Sequence, residues 1–156
     1  DNIDIDEDGE KIYNENEKRL RAYQEFMTSN GLTSQVKLGL WEPLEGKRMM
    51  DEWLAEAQEL PTAILVGSDP LSVGVYRSLQ SANIAIGQDI EIASFDDIEI
   101  AEFLTPSLTT VHISAGEIAK AAVRLAKERI EEERQEPVIM TFPSKLVVRE
   151  SFIPKS

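Results

Sequence analysis

Apolar and polar positions along the chain follow two periods, one typical of helices and one typical of strands. Five segments carry apolar residues at helical spacing and predict helices over Glu15–Asn30, Leu44–Gln58, Asp69–Asn83, Ile98–Phe103 and Ser114–Arg134. Short apolar runs between them predict strands over Val36–Leu40, Pro61–Gly67, Ile90–Phe95, Leu108–Ile113, Val138–Phe142 and Lys145–Val148. The run at residues 61–67 is apolar throughout, which is typical of a strand buried on both faces of a parallel sheet. This alternation predicts a doubly wound α/β fold with a mostly parallel sheet.

Size and composition narrow the classes of protein to consider. The 156 residues, 42% of them hydrophobic, are enough for one domain with a substantial core. No apolar run approaches the ~20 residues that cross a bilayer, so we expect no membrane partner. Cysteine is absent, which excludes disulfides, thiolate catalysis and cysteine-ligated zinc. The single histidine, His112, excludes a multi-histidine metal site, and we expect no cofactor.

The charge of the chain limits its direct contact with nucleic acid. The 29 acidic and 16 basic residues give a formal net charge of −13. Affinity for DNA depends largely on Lys and Arg side chains that neutralise phosphates. If this protein regulates DNA, a segment outside the chain must therefore make the contact.

Polar and aromatic side chains follow several predicted strands, where ligands of open α/β sheets bind. Trp41, the pair Ser68-Asp69 and the pair Asp96-Asp97 stand at such strand ends, and Arg19 on the first helix could approach the same edge. Carboxylates and a guanidinium make paired hydrogen bonds to neighbouring hydroxyls, and an indole covers the apolar side of a sugar ring. The pattern predicts a site for a small polyol or sugar.

Structural roles explain several of these residues equally well. Asp69 before Pro70 fits a helix cap, and Asp97 fits a cap for the following short helix. Trp41 is equally a core residue and Arg19 a solvated one. Asp96 is harder to explain in this way, because its neighbour can do the capping. Consecutive residues on a strand point to opposite faces, so the two acids are not an acid/base pair.

Two further motifs point to no function. Asp4, Asp6, Asp8 and Glu15 have the spacing of an EF-hand calcium loop, but no helix precedes them, and we interpret the segment as a solvated acidic loop. His112 has no neighbouring metal ligands in the sequence and is interpreted as structural. The chain also lacks a glycine-rich phosphate loop and a Gly-x-Ser-x-Gly elbow, so we expect no enzyme activity.

Five segments in register resemble the LacI/GalR family of bacterial transcription regulators. They are RLRAYQEFMTSNGL, PTAILVGSDPLSVGVYRSL, IEIASFDDIEIAEF, PSLTTVHIS and LVVRES, and the resemblance as a whole runs from about Tyr13 to Ser151. The resemblance implies a periplasmic-binding-protein-like (type I) effector core of two subdomains, a helix-turn-helix headpiece, a homodimer and a cytoplasmic location. Residues 1–112 and 136–156 would form the C-terminal subdomain. Residues 113–135 would form a crossover helix that belongs to the missing N-terminal subdomain, and the headpiece is absent.

The resemblance also implies roles for individual residues. Arg19, Trp41 and Asp96 match the family's effector-binding arginine, ligand-packing aromatic residue and hydroxyl-binding acid. Ser68 falls where some sugar-responsive members carry asparagine. Tyr13 and Glu15 stand at variable positions that help to select the effector.

The expected function is effector binding and dimerisation in a repressor that responds to a sugar, with a galactoside as one candidate. Operator DNA would be bound only through the missing headpiece. The alternative is an exported sugar-binding transport receptor of the same fold. A third alternative is an α/β enzyme, which would need a second catalytic group that the sequence does not show.

Overall fold

The computed structural model describes residues 15–56, 59–131 and 135–152, with side chains described from residue 17 onward. The chain divides into two compact units, and the boundary between them falls between Leu38 and Gly39.

The first unit contains helix α1, Glu15–Ser29, and the segment that follows it. The helix ends at Asn30-Gly31, as predicted, because Gly31 adopts a left-handed φ of 66° and Leu32 N donates to the Met27 carbonyl at 2.8 Å. The Tyr23 hydroxyl accepts a hydrogen bond from Gln35 N at 3.2 Å and fastens the segment to the helix. The predicted strand Val36–Leu40 is wrong: these residues pair with no strand in the described chain.

The second unit contains a four-stranded sheet, and its helices α2–α5 alternate with the first three strands. The elements are α2 Pro43–Glu56, β1 Ala63–Leu65, α3 Asp69–Ser81, β2 Glu91–Asp96, α4 Ile100–Phe103, β3 Thr109–His112, α5 Ala115–Glu131 and β4 Lys145–Val147. The strand order is β1-β2-β3-β4, in which β1, β2 and β3 are parallel and β4 runs antiparallel to β3. The predicted α/β class with a mostly parallel sheet is confirmed.

The core of the second unit lies between the sheet and helices α2 and α3. It is formed by Met50, Val66, Leu71, Val75, Tyr76, Leu79, Ile86, Ile90, Ile92, Ala101 and Leu108. Burying one large apolar side chain contributes about 1.5–3 kcal/mol. Helices α2 and α3 touch through their backbones, since a Cβ on Gly74 would stand within 3 Å of the Pro43 carbonyl oxygen.

Several predicted boundaries and burial patterns differ from the structure. The strand predicted over Pro61–Gly67 is only three residues long, and Leu65 is 52% exposed, so the expected burial on both faces is wrong. No described residue of the predicted strand Val138–Phe142 pairs with another strand. Both errors share a cause, because strand formation and burial depend on neighbouring elements rather than on the local sequence alone. Helix α5 is present but buries none of its residues.

Candidate functional site

Three parallel strands end at one edge of the sheet, and each end delivers a polar group. Gly67-Ser68 follows β1, Asp96 closes β2, and His112 closes β3 in register with Asp96. Val66 N donates to the Ala93 carbonyl at 2.9 Å, which holds the end of β1 against β2. Because the strands are parallel, these groups share the carboxyl edge of the sheet, where ligands of open α/β folds bind.

Trp41 lies at the same edge, against the backbone of Gly67. Its ring atom Cζ3 stands 2.7 Å from the place that a Cβ at residue 67 would occupy, so only glycine permits this contact. The indole is still 47% exposed, which argues against a purely structural role in the core. The arrangement leaves an aromatic face available to solvent beside the strand ends.

Ser68, rather than Asp69, is the N-cap residue of α3. Its backbone is extended, and its hydroxyl accepts from Leu71 N at 3.5 Å. The prediction that Asp69 caps this helix is therefore wrong by one residue, because serine and aspartate are both good caps and the sequence does not separate them. The Ser68 side chain is buried and already has a structural role, and its contact with an effector stays a prediction.

Asp69 is fully buried and fastens the turn that follows β2. One carboxylate oxygen accepts from Ile98 N at 2.9 Å, and the other accepts from the Thr110 hydroxyl at 2.8 Å. The same Thr110 oxygen accepts from Asp97 N at 3.3 Å. Asp69 thereby holds the backbone that leads away from Asp96 and Asp97.

Asp97 forms an ion-pair network instead of capping α4, so that interpretation is wrong. Its carboxylate lies 2.8 Å from Nη2 of Arg149 and 2.8 Å from Nδ1 of His112. Burial raises the pKa of Asp97, but the hydrogen bonds from Arg149 and His112 outweigh it and hold this pKa below its ordinary value. An ionised carboxylate only accepts hydrogen bonds, so Nδ1 of His112 carries the proton. The expectation that His112 has a structural role is supported, with Asp97 as its partner.

Sequence reasoning missed Arg149 altogether. It is separated from Asp97 by 52 residues. The signal that pointed to a partner was the Asp96-Asp97 pair itself, because a partly buried acid requires a compensating group. Nothing in the local sequence identifies which arginine provides it.

The remaining residues of the predicted site lie at the end of β2 and in the first unit. Asp96 is half-buried at the end of β2. Arg19 is half-buried on α1, in the first unit, so its meeting with the sheet edge stays a prediction. Tyr13 and the side chain of Glu15 lie outside the described residues, as does the acidic loop that begins at Asp4.

The described residues show neither a metal-binding cluster nor a helix that could span a membrane. Residues 15–56, 59–131 and 135–152 contain no group of three or more potential metal-ligating side chains. Within the same part of the chain, every helix is too short or too polar to cross a membrane.

Comparison with known proteins identifies several similar chains. Residues 7–152 match the family model described as a periplasmic binding protein-like domain. The chain is 32% identical to the HTH-type transcriptional regulator GalR of Lacticaseibacillus casei over 85% of this chain and 41% of that protein. It is 34% identical to the HTH-type transcriptional repressor MelR of Bacillus subtilis (strain 168) over 86% of this chain and 38% of that protein.

A solved structure shows the same architecture. The complex of the transcriptional regulator CelR with cellobiose matches with a TM-score of 0.81 and 28% identity, over 86% of this chain and 42% of that one. The chain thus spans less than half of the length of each of these three relatives.

Proposed function

Because the chain belongs to the periplasmic binding protein-like domain family, we propose that it is the effector-binding part of a transcriptional repressor that responds to a sugar. The resemblance to LacI/GalR regulators is confirmed by relatives that are named HTH-type regulators and repressors. A relative in complex with cellobiose supports a sugar as the class of effector. These names favour a repressor over an exported transport receptor, and over an enzyme.

The observation that carries the proposal is the half-exposed indole of Trp41 on the backbone of Gly67, at the same sheet edge as Asp96. A pyranose or furanose ring offers an apolar C–H face and a rim of hydroxyls. The indole suits the first and a carboxylate suits the second. Arg19, Ser68, Tyr13 and Glu15 are proposed as further contacts.

The proposed mechanism is a shift between two conformations of the complete protein. A sugar that contacts both this chain and the remainder of the effector core favours the conformation in which both contacts form. That shift changes how a homodimer presents its DNA-binding headpieces to the operator, which couples the two sites. The acidic chain described here contacts no DNA in this scheme.

The test uses the full-length protein and fluorescence anisotropy with labelled operator DNA. D-galactose, D-ribose and cellobiose are titrated into the protein–DNA complex, and the sugar affinity is measured separately by calorimetry. Asp96→Asn should weaken sugar binding about 5- to 30-fold, since the replacement of a charge-assisted hydrogen bond by a neutral one costs about 1–2 kcal/mol. Its affinity for the operator without sugar should be unchanged.

Glu99→Gln is the matched control, because Glu99 is an exposed acid in the same loop that makes no side-chain capping bond. We expect its sugar affinity to equal that of the wild type. Unchanged sugar affinity in Asp96→Asn would remove Asp96 from the site. A wild-type protein that binds none of the three sugars would contradict the proposal.

A further inference from the structure

The backbone at the end of β2 adopts an uncommon conformation at two successive residues. Asp96 has a φ of 110° and Asp97 a φ of 55°, although neither is glycine. Such conformations are unfavourable for residues that carry a Cβ, and they persist only where the surroundings enforce them. The contacts of the neighbouring residues therefore determine where the backbone of Asp96 lies.

Arg149 holds this turn from the tail of the chain. Its Nη2 lies 2.8 Å from the Asp97 carboxylate, and its Nη1 donates to the Leu108 carbonyl at 3.0 Å. Its backbone N–H donates to the Thr109 hydroxyl at 2.7 Å. The Arg149 side chain is only 14% exposed, so both the main chain and the side chain of this residue are fixed with respect to β3.

The second attachment comes from α3. Asp69 accepts from Ile98 N, directly after the turn, and from Thr110, whose hydroxyl accepts from Asp97 N. Asp97 is thus tied through its side chain to Arg149 and through its main chain to Thr110. The residue before it, Asp96, has little freedom left in its own backbone.

We propose that Arg149, acting through Asp97, is a positioning residue that aims the carboxylate of Asp96 at the sugar. This inference rests on the proposed function, in which Asp96 contacts the effector. Arg149 also compensates the charge of Asp97, whose largely buried carboxylate requires a counter-charge to stay in this position. Both effects reach the ligand only by way of Asp96.

The first experiment compares three variants of the full-length protein by calorimetry with D-galactose, D-ribose and cellobiose. Arg149→Met and Asp97→Asn should each weaken the binding of the sugar that the wild type prefers, by about 2- to 30-fold. Their operator affinity without sugar, which reports on the fold as a whole, should match the wild type. Asp97→Asn keeps the shape of the side chain and serves where Arg149→Met fails to fold.

Glu102→Gln is the matched control. Glu102 also approaches Arg149, at 3.4 Å, but its side chain is 69% exposed. It is not one of the residues through which Arg149 is proposed to act on Asp96. Removing its charge should leave the sugar affinity unchanged. A loss equal to that of Asp97→Asn would overturn the inference, because any partner of Arg149 would then matter equally.

A double-mutant cycle separates positioning from general destabilisation. If Arg149 acts through Asp96, then Arg149→Met should cost little further sugar affinity once Asp96→Asn is present. Losses that multiply in the double variant would show that Arg149 acts independently of Asp96 and would overturn the inference. The proposed function would stand in that case, because Asp96→Asn alone would still weaken binding. A wild-type protein that binds no sugar would instead refute the proposed function.

Discussion

The buried carboxylate of Asp69 should be among the most sensitive positions of the second unit. It is 0% exposed and accepts two hydrogen bonds, from Ile98 N at 2.9 Å and from Thr110 at 2.8 Å. Asp69→Ala removes both acceptors and leaves a backbone N–H and a hydroxyl without their partner. Asp69→Asn keeps the shape and can retain an acceptor for Ile98 N while its amide group faces Thr110.

The size of the effect follows from these two bonds. A hydrogen bond to a charged group contributes about 1.5–3 kcal/mol, and relief of the buried charge offsets part of the loss. We therefore expect Asp69→Ala to lower the free energy of unfolding by about 3–5 kcal/mol. Asp69→Asn should lower it by about 1–2 kcal/mol, because two neutral bonds replace two charged ones.

Urea unfolding at pH 7, followed by circular dichroism, measures these differences. The control is Asp89→Ala, since Asp89 is exposed and accepts a single bond from Ala85 N at 2.8 Å. Its cost should be about 1 kcal/mol or less. If Asp69→Ala cost no more than Asp89→Ala at an unchanged denaturant slope, the assignment of Asp69 as the fastening group of the turn would be refuted.

Two further predictions concern packing. Gly74→Ala should lower the free energy of unfolding by about 3 kcal/mol, because its Cβ would meet the backbone of α2. Gly116→Ala should raise the free energy of unfolding by up to about 1 kcal/mol, because a Cβ there has no neighbour within 4 Å. Thermal unfolding measures both variants, and equal effects would contradict the close contact at Gly74. The apolar residues Val123 and Ile130 of α5 are exposed, so we expect the chain to self-associate through this face, and Val123→Asp with Ile130→Asp to make it monomeric by light scattering. A wild-type chain that is already monomeric at high concentration would contradict the second prediction.

The helices could be predicted from the sequence because their signal is local. Apolar spacing and end signals lie within the segment itself, and α1 ends at Asn30-Gly31 as expected. The strand predictions hold only for segments that pair with a neighbouring strand in the folded chain. Residues 36–40 and 138–142 carry apolar residues suited to strands, yet Leu38 and Ile139 are largely exposed and pair with no strand in the described chain. A strand forms only when other segments of the chain supply its hydrogen-bond partners, and the sequence of one segment does not identify those partners.

The sequence was sufficient to predict that the candidate site lies at one edge of the sheet, but not to predict the contacts that its residues make. Parallel strands bring their carboxyl ends together, so the order of elements alone placed Ser68 and Asp96 on one edge. Which acid has which role depends on distances that the sequence does not encode. Ser68, not Asp69, is the N-cap residue of α3. The Asp69 carboxylate instead accepts a hydrogen bond from Ile98 N in the turn after β2.

The Asp96-Asp97 pair shows why chemistry of this kind needs a folded chain. Two identical residues stand side by side, yet Asp97 pairs with Arg149 and His112, while Asp96 closes β2 at the carboxyl edge of the sheet. Identical side chains acquire different properties when burial and counter-charges separate their environments. The counter-charge comes from the last described segment of the chain, which passes beside β3 after α5. A change at Arg149, far from the candidate site in sequence, should therefore act at Asp96, and that link is what the double-mutant cycle measures.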